Sequence, residues 1–282
     1  MRIGFIGAGR VGFTMGKYLT MHGAKVSGYY SRTPEHARDA AEFTDTEYFE
    51  NAEKLIENSD AVILTVSDNA IAQVFDDICD SHLAGKIMCH TSGAMSSGIF
   101  EGKSVQVYGY SIHPIYAISD RYESYKNFSN AFITIEGNEK YLNEVRKIFT
   151  DAGLNSAVID SSDKAKYHAA SVVASNMVCG LYGTAIRLMT ECGFSDEDAK
   201  NSLKGLFVDN AIAAAEIGPD RQLTGPLERG DSNTIRNHLK ALDAEDKILY
   251  KEVSKEVLKL AKKKNKDRDY SEIESLLKGE SL

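Results

Sequence analysis

Cysteine is scarce in this chain: there are four in 282 residues, at positions 79, 89, 179 and 192. None stands in a C-x-x-C pair, which excludes a disulfide framework and leaves reduced thiols as the simplest state. Basic residues are also in short supply. Lys and Arg total 33 against 41 acids, a formal net charge of −8, so a general affinity for nucleic acid is excluded while a basic pocket for a single phosphate is not. No strictly apolar run reaches the roughly 18 residues of a membrane span. The N-terminus turns glycine-rich at Gly4 and Gly7 before a signal-peptide core can develop. No metal-ligand spacing is found. The expectation is a cytoplasmic protein that works on a small molecule, with neither membrane nor nucleic acid as partner.

Hydrophobic residues at 43% and charged residues at 26% are those of an ordinary globular chain. Up to about residue 160, short apolar runs alternate with amphipathic ones, the mark of βα units around a parallel sheet. Strands are expected at Ile3 to Ile6, Lys25 to Tyr30, Ala61 to Val66, Ile87 to His90, Gln106 to Tyr110, Ala131 to Glu136 and Ser156 to Ile159. The polar and aromatic stretch Ser119 to Asn130 reads as a long loop. Beyond Asp163 only helical periodicity remains, over Lys164 to Cys192, Asp196 to Ile217, Ser232 to Leu242 and Ala244 to Lys263. The first of these carries Ala, Val, Ser and Gly on nearly every side, so it is expected to be buried all round. The fold class is α/β: a doubly wound, mainly parallel Rossmann sheet over 1–160, then an all-α domain over 161–282 for substrate binding and dimerisation.

Gly7-Ala8-Gly9-Arg10-Val11-Gly12 follows the first strand directly and opens a helix, the context a G-x-G-x-x-G dinucleotide fingerprint requires. Gly7 makes the tight turn, Gly9 admits the pyrophosphate to the backbone, and Gly12 lets helix pack on strand. The helix's first amides then face the anion. At the end of the second strand, Ser31-Arg32-Thr33 offers two hydroxyls and a guanidinium where an NAD-specific site would place an acid. These groups suit a 2′-phosphate, so the expected cofactor is NADP(H). Val66 and Ser67 leave the third long strand at its carboxyl edge, where backbone passes the nicotinamide ribose; Ser67 or Asp68 also fits as a helix N-cap.

Cys89-His90-Thr91-Ser92-Gly93 and Ser111-Ile112-His113-Pro114-Ile115 close the next two strands at the same edge. Hydride transfer to a carbonyl builds negative charge on oxygen and needs a proton or hydrogen-bond donor there, which makes Ser92 and His113 candidates; His90 reads as structural. On the following helix His168, Ser171 and Ser175 stand at i, i+3 and i+7, with Lys164 a turn before and Asn176 at the margin. Either helix–helix hydrogen bonds or a crevice accounts for that stripe. Late in the chain, Leu223-Thr224-Gly225-Pro226-Leu227-Glu228-Arg229-Gly230-Asp231 leads into a helix on which Asp231, Thr234 and His238 share a face. Asp231 is placed as N-cap, and Arg229 and Thr234 join it as candidate substrate-binding residues.

With these residues together, the chain resembles a sparsely characterised family that joins a Rossmann-like NADP-binding domain to a C-terminal helical domain once labelled as of unknown function. The L-T-G-P-x-x-R-G-D signature is its most specific mark. The wider superfamily, that of 6-phosphogluconate dehydrogenase, is similar to ketopantoate, pyrroline-5-carboxylate and β-hydroxyacid reductases. Ketopantoate reductases carry Lys, Asn and Asn at i, i+4 and i+8 of a helix, positions that fall here on His168, Val172 and Asn176. The resemblance therefore implies NADPH-dependent reduction of a small 2-oxo acid, ketopantoate to pantoate in pantothenate biosynthesis. His168 replaces the lysine as acid, Asn176 is a polar anchor, and the protein is a homodimer by analogy. Prephenate and arogenate dehydrogenases look similar in their His-Pro pair, here His113-Pro114. A pyrroline-5-carboxylate reductase-like enzyme and a non-catalytic NADP(H) sensor complete the alternatives.

Overall fold

Apolar residues at successive positions of the early strands send side chains to both faces of one sheet, and the computed structural model shows both faces covered. It describes residues 1–79, 81–103 and 105–279; the final residues of the expected second domain, 280–282, lie outside them. The strands are β1 (Arg2–Ile6), β2 (Lys25–Tyr30), β3 (Glu47–Tyr48), β4 (Ala61–Leu64), β5 (Ile87–His90), β6 (Tyr108–Ile115), β7 (Phe132–Gly137) and β8 (Asn155–Val158). Their order is β3-β2-β1-β4-β5-β6-β7-β8, parallel throughout except for β6 against β7. The helices α1 (Arg10–Met21), α2 (Pro34–Thr44), α3 (Ala52–Glu57), α4 (Asp68–Ile78) and α5 (Leu142–Asp151) connect them. The chain reverses direction across the sheet between β1 and β4, the switch point where open α/β sheets bind ligands.

Ile3, Phe5, Ile63 and Cys89 enter one core with Phe13, Leu19, Tyr29 and Tyr110. Ile6, Val62, Leu64 and Met88 enter the other with Leu55, Ile71 and Phe75. This is the period of two of a strand, and each large side chain so buried contributes about 1.5–3 kcal/mol.

Two local expectations need correction, and one strand was not expected. β6 runs to Ile115, so Ser111 and His113 lie within the strand and not beyond it. The antiparallel ladder with β7 carries it on, and Pro114 is tolerated because β5 stops pairing at Ser111 and asks no amide of it. The stretch after Ser119 is not all loop: Ser124–Asn130 forms a 3₁₀ helix whose Phe128 is buried against Tyr18 and Tyr116. β3, only two residues long, had no periodicity to announce it.

The remaining helices are α6 (Lys164–Val173), α7 (Asn176–Glu191), α8 (Asp196–Ile217), α9 (Pro219–Gln222), α10 (Pro226–Arg229), α11 (Ser232–Ala241), α12 (Ala244–Lys264) and α13 (Ser271–Lys278). Two compact units divide after Met177. The strands end at Val158, but α6 stays with the first unit because Lys164 and Tyr167 bond to Ser111 and His113 of β6. In the second unit Ile235, Leu258, Ala261, Tyr270, Ile273 and Leu277 form the core.

The expected single helix from Lys164 is interrupted by a turn at Ala174 and Ser175. Ser171 and Ser175 donate to the carbonyls of Tyr167 and Ser171, the back-bonding that bends helices. Nor is this helix buried all round. α6 buries only Lys164 and α7 buries nothing, with Val173 and Met177 each 55% exposed; small side chains make the helix packable, but among the described residues nothing covers it. Ser161–Glu191 is also long and apolar enough, by length and composition, to cross a membrane, because serine, asparagine and threonine interrupt its apolar runs without adding charge.

Candidate active site

The glycine loop is dictated by contact. Gly7 has φ +106°, and a Cβ there would lie 2.9 Å from the carbonyl carbon and oxygen of Thr65. A Cβ on Gly12 would lie 2.6 Å from the Gly7 carbonyl oxygen and 2.7 Å from Thr65 Oγ1, the atom that donates to that carbonyl at 2.6 Å. Gly9 is different: a Cβ there would meet only the Thr65 carbonyl oxygen, at an ordinary 3.9 Å, and α1 has no side-chain cap. The first amides of α1 are therefore uncapped and presented to an anion. Ala8 is buried, Val11 packs on the core, and Arg10 is exposed with Nη1 3.4 Å from the Ser119 carbonyl. A cavity of about 440 Å³ opens here, lined by Gly9, Arg10, His36 and the Ser119–Tyr122 segment.

At the end of β2, Ser31 is half-buried while Arg32 and Thr33 are exposed. Thr33 holds the N-cap position of α2 but its hydroxyl caps nothing. Among the described residues no partner is found for the Arg32 guanidinium, so this donor set is unspent and fits a phosphorylated ribose. Ser67 occupies the N-cap of α4, also without a side-chain cap bond, beside half-buried Val66. Asp68, its neighbour, accepts from Ser92 Oγ at 2.7 Å.

Around the ends of β5 and β6 the polar groups converge. Ser92 is 2% exposed, and its hydroxyl is fully used, donating to Asp68 and accepting from the amides of Ala94 and Met95. Its carbonyl accepts from Ser111 Oγ at 3.0 Å and from Lys164 Nζ at 3.1 Å. Lys164, 3% exposed, also donates to Ser111 Oγ. Burial pushes this ammonium down to about 8, against the opposing pull of Glu136 and Asp68. His113 is lowered to about 4, by burial first and then by the charges of Lys164 and His168. Its Nδ1 lies 2.6 Å from Tyr167 Oη, to which Thr134 Oγ1 donates at 2.7 Å.

His168 faces His113 edge to face, ring centroids 5.9 Å apart, and its Nδ1 is enclosed without a hydrogen-bond partner. Gly93 fits between them by having no side chain: a Cβ would stand 2.6 Å from His168 Nδ1 and 2.9 Å from His113 Nε2. His90, fully buried, accepts the Ser92 amide on Nδ1 and donates from Nε2 to the Ser96 carbonyl. Its role is structural, and burial lowers its proton affinity.

Of the expected catalytic residues, the fold thus brings together Ser92, His113 and His168. Asn176 is exposed beyond the turn, its Oδ1 3.2 Å from Ser175 Oγ. The interruption breaks the i, i+8 relation to His168 on which it was chosen. Asp231 caps α11, accepting from the Thr234 amide at 3.0 Å and from the Thr234 hydroxyl at 2.6 Å, while His238 Nδ1 lies 2.9 Å from Tyr250 Oη. Glu228 pins the same turn, its side chain accepting from Asn265 at 2.7 Å and its carbonyl from Tyr270 Oη at 2.7 Å. Arg229 is exposed and makes no hydrogen bond or ion pair among the described residues, its charge lying near the Asp231 and Glu228 carboxyls. On the surface, ligand atoms of Glu53, Glu57 and His82 lie within 4.8 Å of one another, an approach no sequence spacing announced.

The residues not foreseen as a cluster are Lys164, Tyr167, Thr134, Asp68 and Gly93. Lys164 did carry a signal, one turn before His168 on the same stripe. Thr134 did not, because its contact depends on the antiparallel register His113↔Thr134.

Residues 2–92 match the family described as NADP oxidoreductase, coenzyme F420-dependent. Residues 131–257 match a domain of unknown function, DUF2520. The chain pairs an NADP-binding Rossmann unit with that C-terminal domain, and its cofactor is NADP(H). Protein TM1727 from Thermotoga maritima is 27% identical with a TM-score of 0.73, covering 93% of this chain and 98% of its own. A Bacteroides fragilis protein described as an NADP oxidoreductase is 25% identical with a TM-score of 0.69, covering 92% and 98%. The Plasmodium falciparum pyrroline carboxylate reductase with NADP bound shares the fold at 16% identity and a TM-score of 0.61, covering 94% and 96%. No curated protein matches.

Proposed function

We propose that this protein is an NADPH-dependent reductase of a small 2-oxo acid, with ketopantoate, reduced to pantoate, as its substrate. The reading is carried by the closure of His113 and His168 on Gly93 beside the buried ammonium of Lys164, at the carboxyl edge of an NADP-type sheet. Gly7 to Gly12 hold the pyrophosphate, and Ser31, Arg32 and Thr33 take the 2′-phosphate. When bound, NADPH supplies a hydride to the carbonyl carbon. His168 delivers the proton to the carbonyl oxygen, while Lys164 provides a fixed positive charge close to the oxygen's developing negative charge. In the second unit, taken by itself, Arg229 on the turn that Asp231 and Thr234 brace is a guanidinium suited to a carboxylate, and with Asp231 and Thr234 it is the substrate-binding set of this reading.

The enzyme works as a homodimer in the cytoplasm, where its four free thiols stay reduced. The dimer rests on α7 and α8, long helices that bury nothing and Ala199 alone, respectively. A second copy covers them.

The test is NADPH oxidation by the purified protein against ketopantoate, other 2-oxo acids and pyrroline-5-carboxylate, with NADP plus prephenate run in reverse. Turnover of ketopantoate supports the assignment. Turnover of pyrroline-5-carboxylate alone transfers the site to a cyclic imine, a reading favoured by the fold shared with the Plasmodium enzyme. Tight NADPH binding with no turnover on this panel leaves an untested substrate or a sensor.

A further inference from the structure

Resting on the reductase reading, the hydrogen-bond chain behind His113 gives that residue a defined role. Three groups must be satisfied at once: the Thr134 hydroxyl, the Tyr167 hydroxyl and His113 Nδ1. Thr134 Oγ1 lies 2.7 Å from Tyr167 Oη and 3.2 Å from the His113 carbonyl. Tyr167 Oη lies 2.6 Å from His113 Nδ1. Each hydroxyl carries one proton. At the 2.7 Å contact the geometry makes Thr134 the donor to Tyr167, so the Tyr167 proton goes to His113 Nδ1, 2.6 Å away. The reverse order, from Nδ1–H to Tyr167 to Thr134 to the His113 carbonyl, would also pair every proton, but it needs Tyr167 to donate to Thr134 and ends on the longest of the contacts, 3.2 Å. The order these contacts favour runs from Thr134 to Tyr167 to Nδ1.

We propose that Tyr167, braced by Thr134, is a positioning residue that locks His113 in its neutral Nε2–H tautomer, so that His113 serves as a fixed hydrogen-bond donor to the oxygen of the substrate's carbonyl. A second observation points the same way. Nε2 has no hydrogen-bond partner among the described residues, and it faces Gly93 on the side where the enclosed, unpartnered Nδ1 of His168 also lies. One ring with a fixed donor thus stands beside a second ring whose Nδ1 is unspent. His113 orients and polarises the oxygen while His168 protonates it.

The division of labour is measurable in the full chain with ¹⁵N-labelled histidine, assigned through the His113→Gln variant. In the wild type, His113 is expected to show an unprotonated Nδ1 and a protonated Nε2 throughout about pH 5 to about pH 8, without titrating as an ordinary histidine would. Tyr167→Phe should release the tautomer, giving a mixed pair of nitrogen signals. It should lower kcat about 10- to 100-fold and leave the Kd for NADPH unchanged. Thr134→Val should move both readouts the same way by less, and Thr134→Ser should restore them. Ketopantoate added in the presence of NADP, which has no hydride to give, should shift the Nε2 proton downfield.

A protonated Nδ1 in the wild type, a tautomer unmoved in Tyr167→Phe, or an Nε2 proton indifferent to every 2-oxo acid and imine offered would overturn the proposal. If the wild-type tautomer and its release in Tyr167→Phe are as described but no substrate is reduced, the lock stands and the reductase reading fails.

Discussion

The imidazoles of His113 and His168 meet at 76° with their centroids 5.9 Å apart, and the residue that permits the approach is Gly93. Its missing Cβ would fall 2.6 Å from one ring and 2.9 Å from the other, distances at which real atoms do not coexist. Gly93→Ala should therefore separate the rings by several tenths of an ångström at least. Misplacement on that scale is expensive in a site that depends on alignment. The expected result is a fall in kcat of about 10- to 100-fold, with NADPH affinity preserved because the dinucleotide loop is untouched. Steady-state kinetics alongside fluorescence titration of the cofactor separates the two; a parallel loss of cofactor binding would mean that Gly93 serves the Rossmann unit as a whole.

Stability should fall on acidification, and His113 sets part of the slope. Its folded-state value of about 4 lies below the roughly 6.5 of an unfolded histidine. Above about 6.5 both states leave the ring neutral and the stability is fully present. As the pH falls from there towards 4 the unfolded chain takes up a proton that the folded chain refuses, and the difference amounts to about 3 kcal/mol. His90, lowered by its own burial, adds in the same direction. Urea unfolding at a series of pH values should show a shallower acid limb in His113→Gln than in the wild type, and equal limbs would refute the assignment.

Cofactor preference should reside in Arg32. The guanidinium is exposed and, among the described residues, pairs with no acid, so its charge is available to a 2′-phosphate. Arg32→Ala should raise the Kd for NADPH about 10- to 100-fold, the loss of one charge-assisted hydrogen bond or pair. NADH, with no phosphate there, should bind as before. Equal losses for both cofactors would show that Arg32 supports the adenine or the loop instead.

The parts of this molecule that were legible in sequence are those in which one residue answers to its immediate neighbours. Gly7 to Gly12 announce a turn between strand and helix, Asp231 announces a cap, and the apolar runs of β1, β4 and β5 announce buried parallel strands. Ser31, Arg32 and Thr33 were readable because an expected acid was missing. What stayed hidden depends on pairing across the sheet. Thr134 reaches His113 only because β7 is antiparallel to β6 in that register, and hydropathy does not encode strand direction. The burial of the helix from Lys164 is not legible for a related reason: small residues make a helix packable without showing that anything in the chain packs against it. Asn176 was chosen on an unbroken 3.6-residue period, which two serines bonding to their own backbone interrupt.

The uncovered helices make oligomeric state a test. Val208 and Ile212 are one turn apart on α8, 40% and 51% exposed, and a 22-residue helix of this kind spans about 33 Å, long enough to anchor an interface of ordinary size. The double variant Val208→Glu, Ile212→Glu should convert a dimer to a monomer in light scattering coupled to gel filtration. Circular dichroism should show an unchanged helical content. A wild type that is already monomeric would remove the second copy from the account.

Lys164 is where stability and function are expected to part. Its folded-state value of about 8 against about 10.4 for a free lysine means that holding the charged form costs the fold about 3 kcal/mol near neutrality. The sign is the same as that of His113, in a higher window: below about 8 both states are protonated and the cost is constant, and from about 8 to about 10.4 the folded chain sheds its proton first, so stability rises with pH. Lys164→Met removes the charge while keeping the length of the side chain. Ser111 Oγ still donates to the Ser92 carbonyl at 3.0 Å, so no acceptor is orphaned. The variant should be as stable as the wild type at neutral pH or more so, and it should lose the alkaline rise. It should also lose most of its turnover, about 100-fold or more, because the fixed charge beside the reacting oxygen is gone. A variant that is destabilised yet fully active would assign Lys164 to the fold alone.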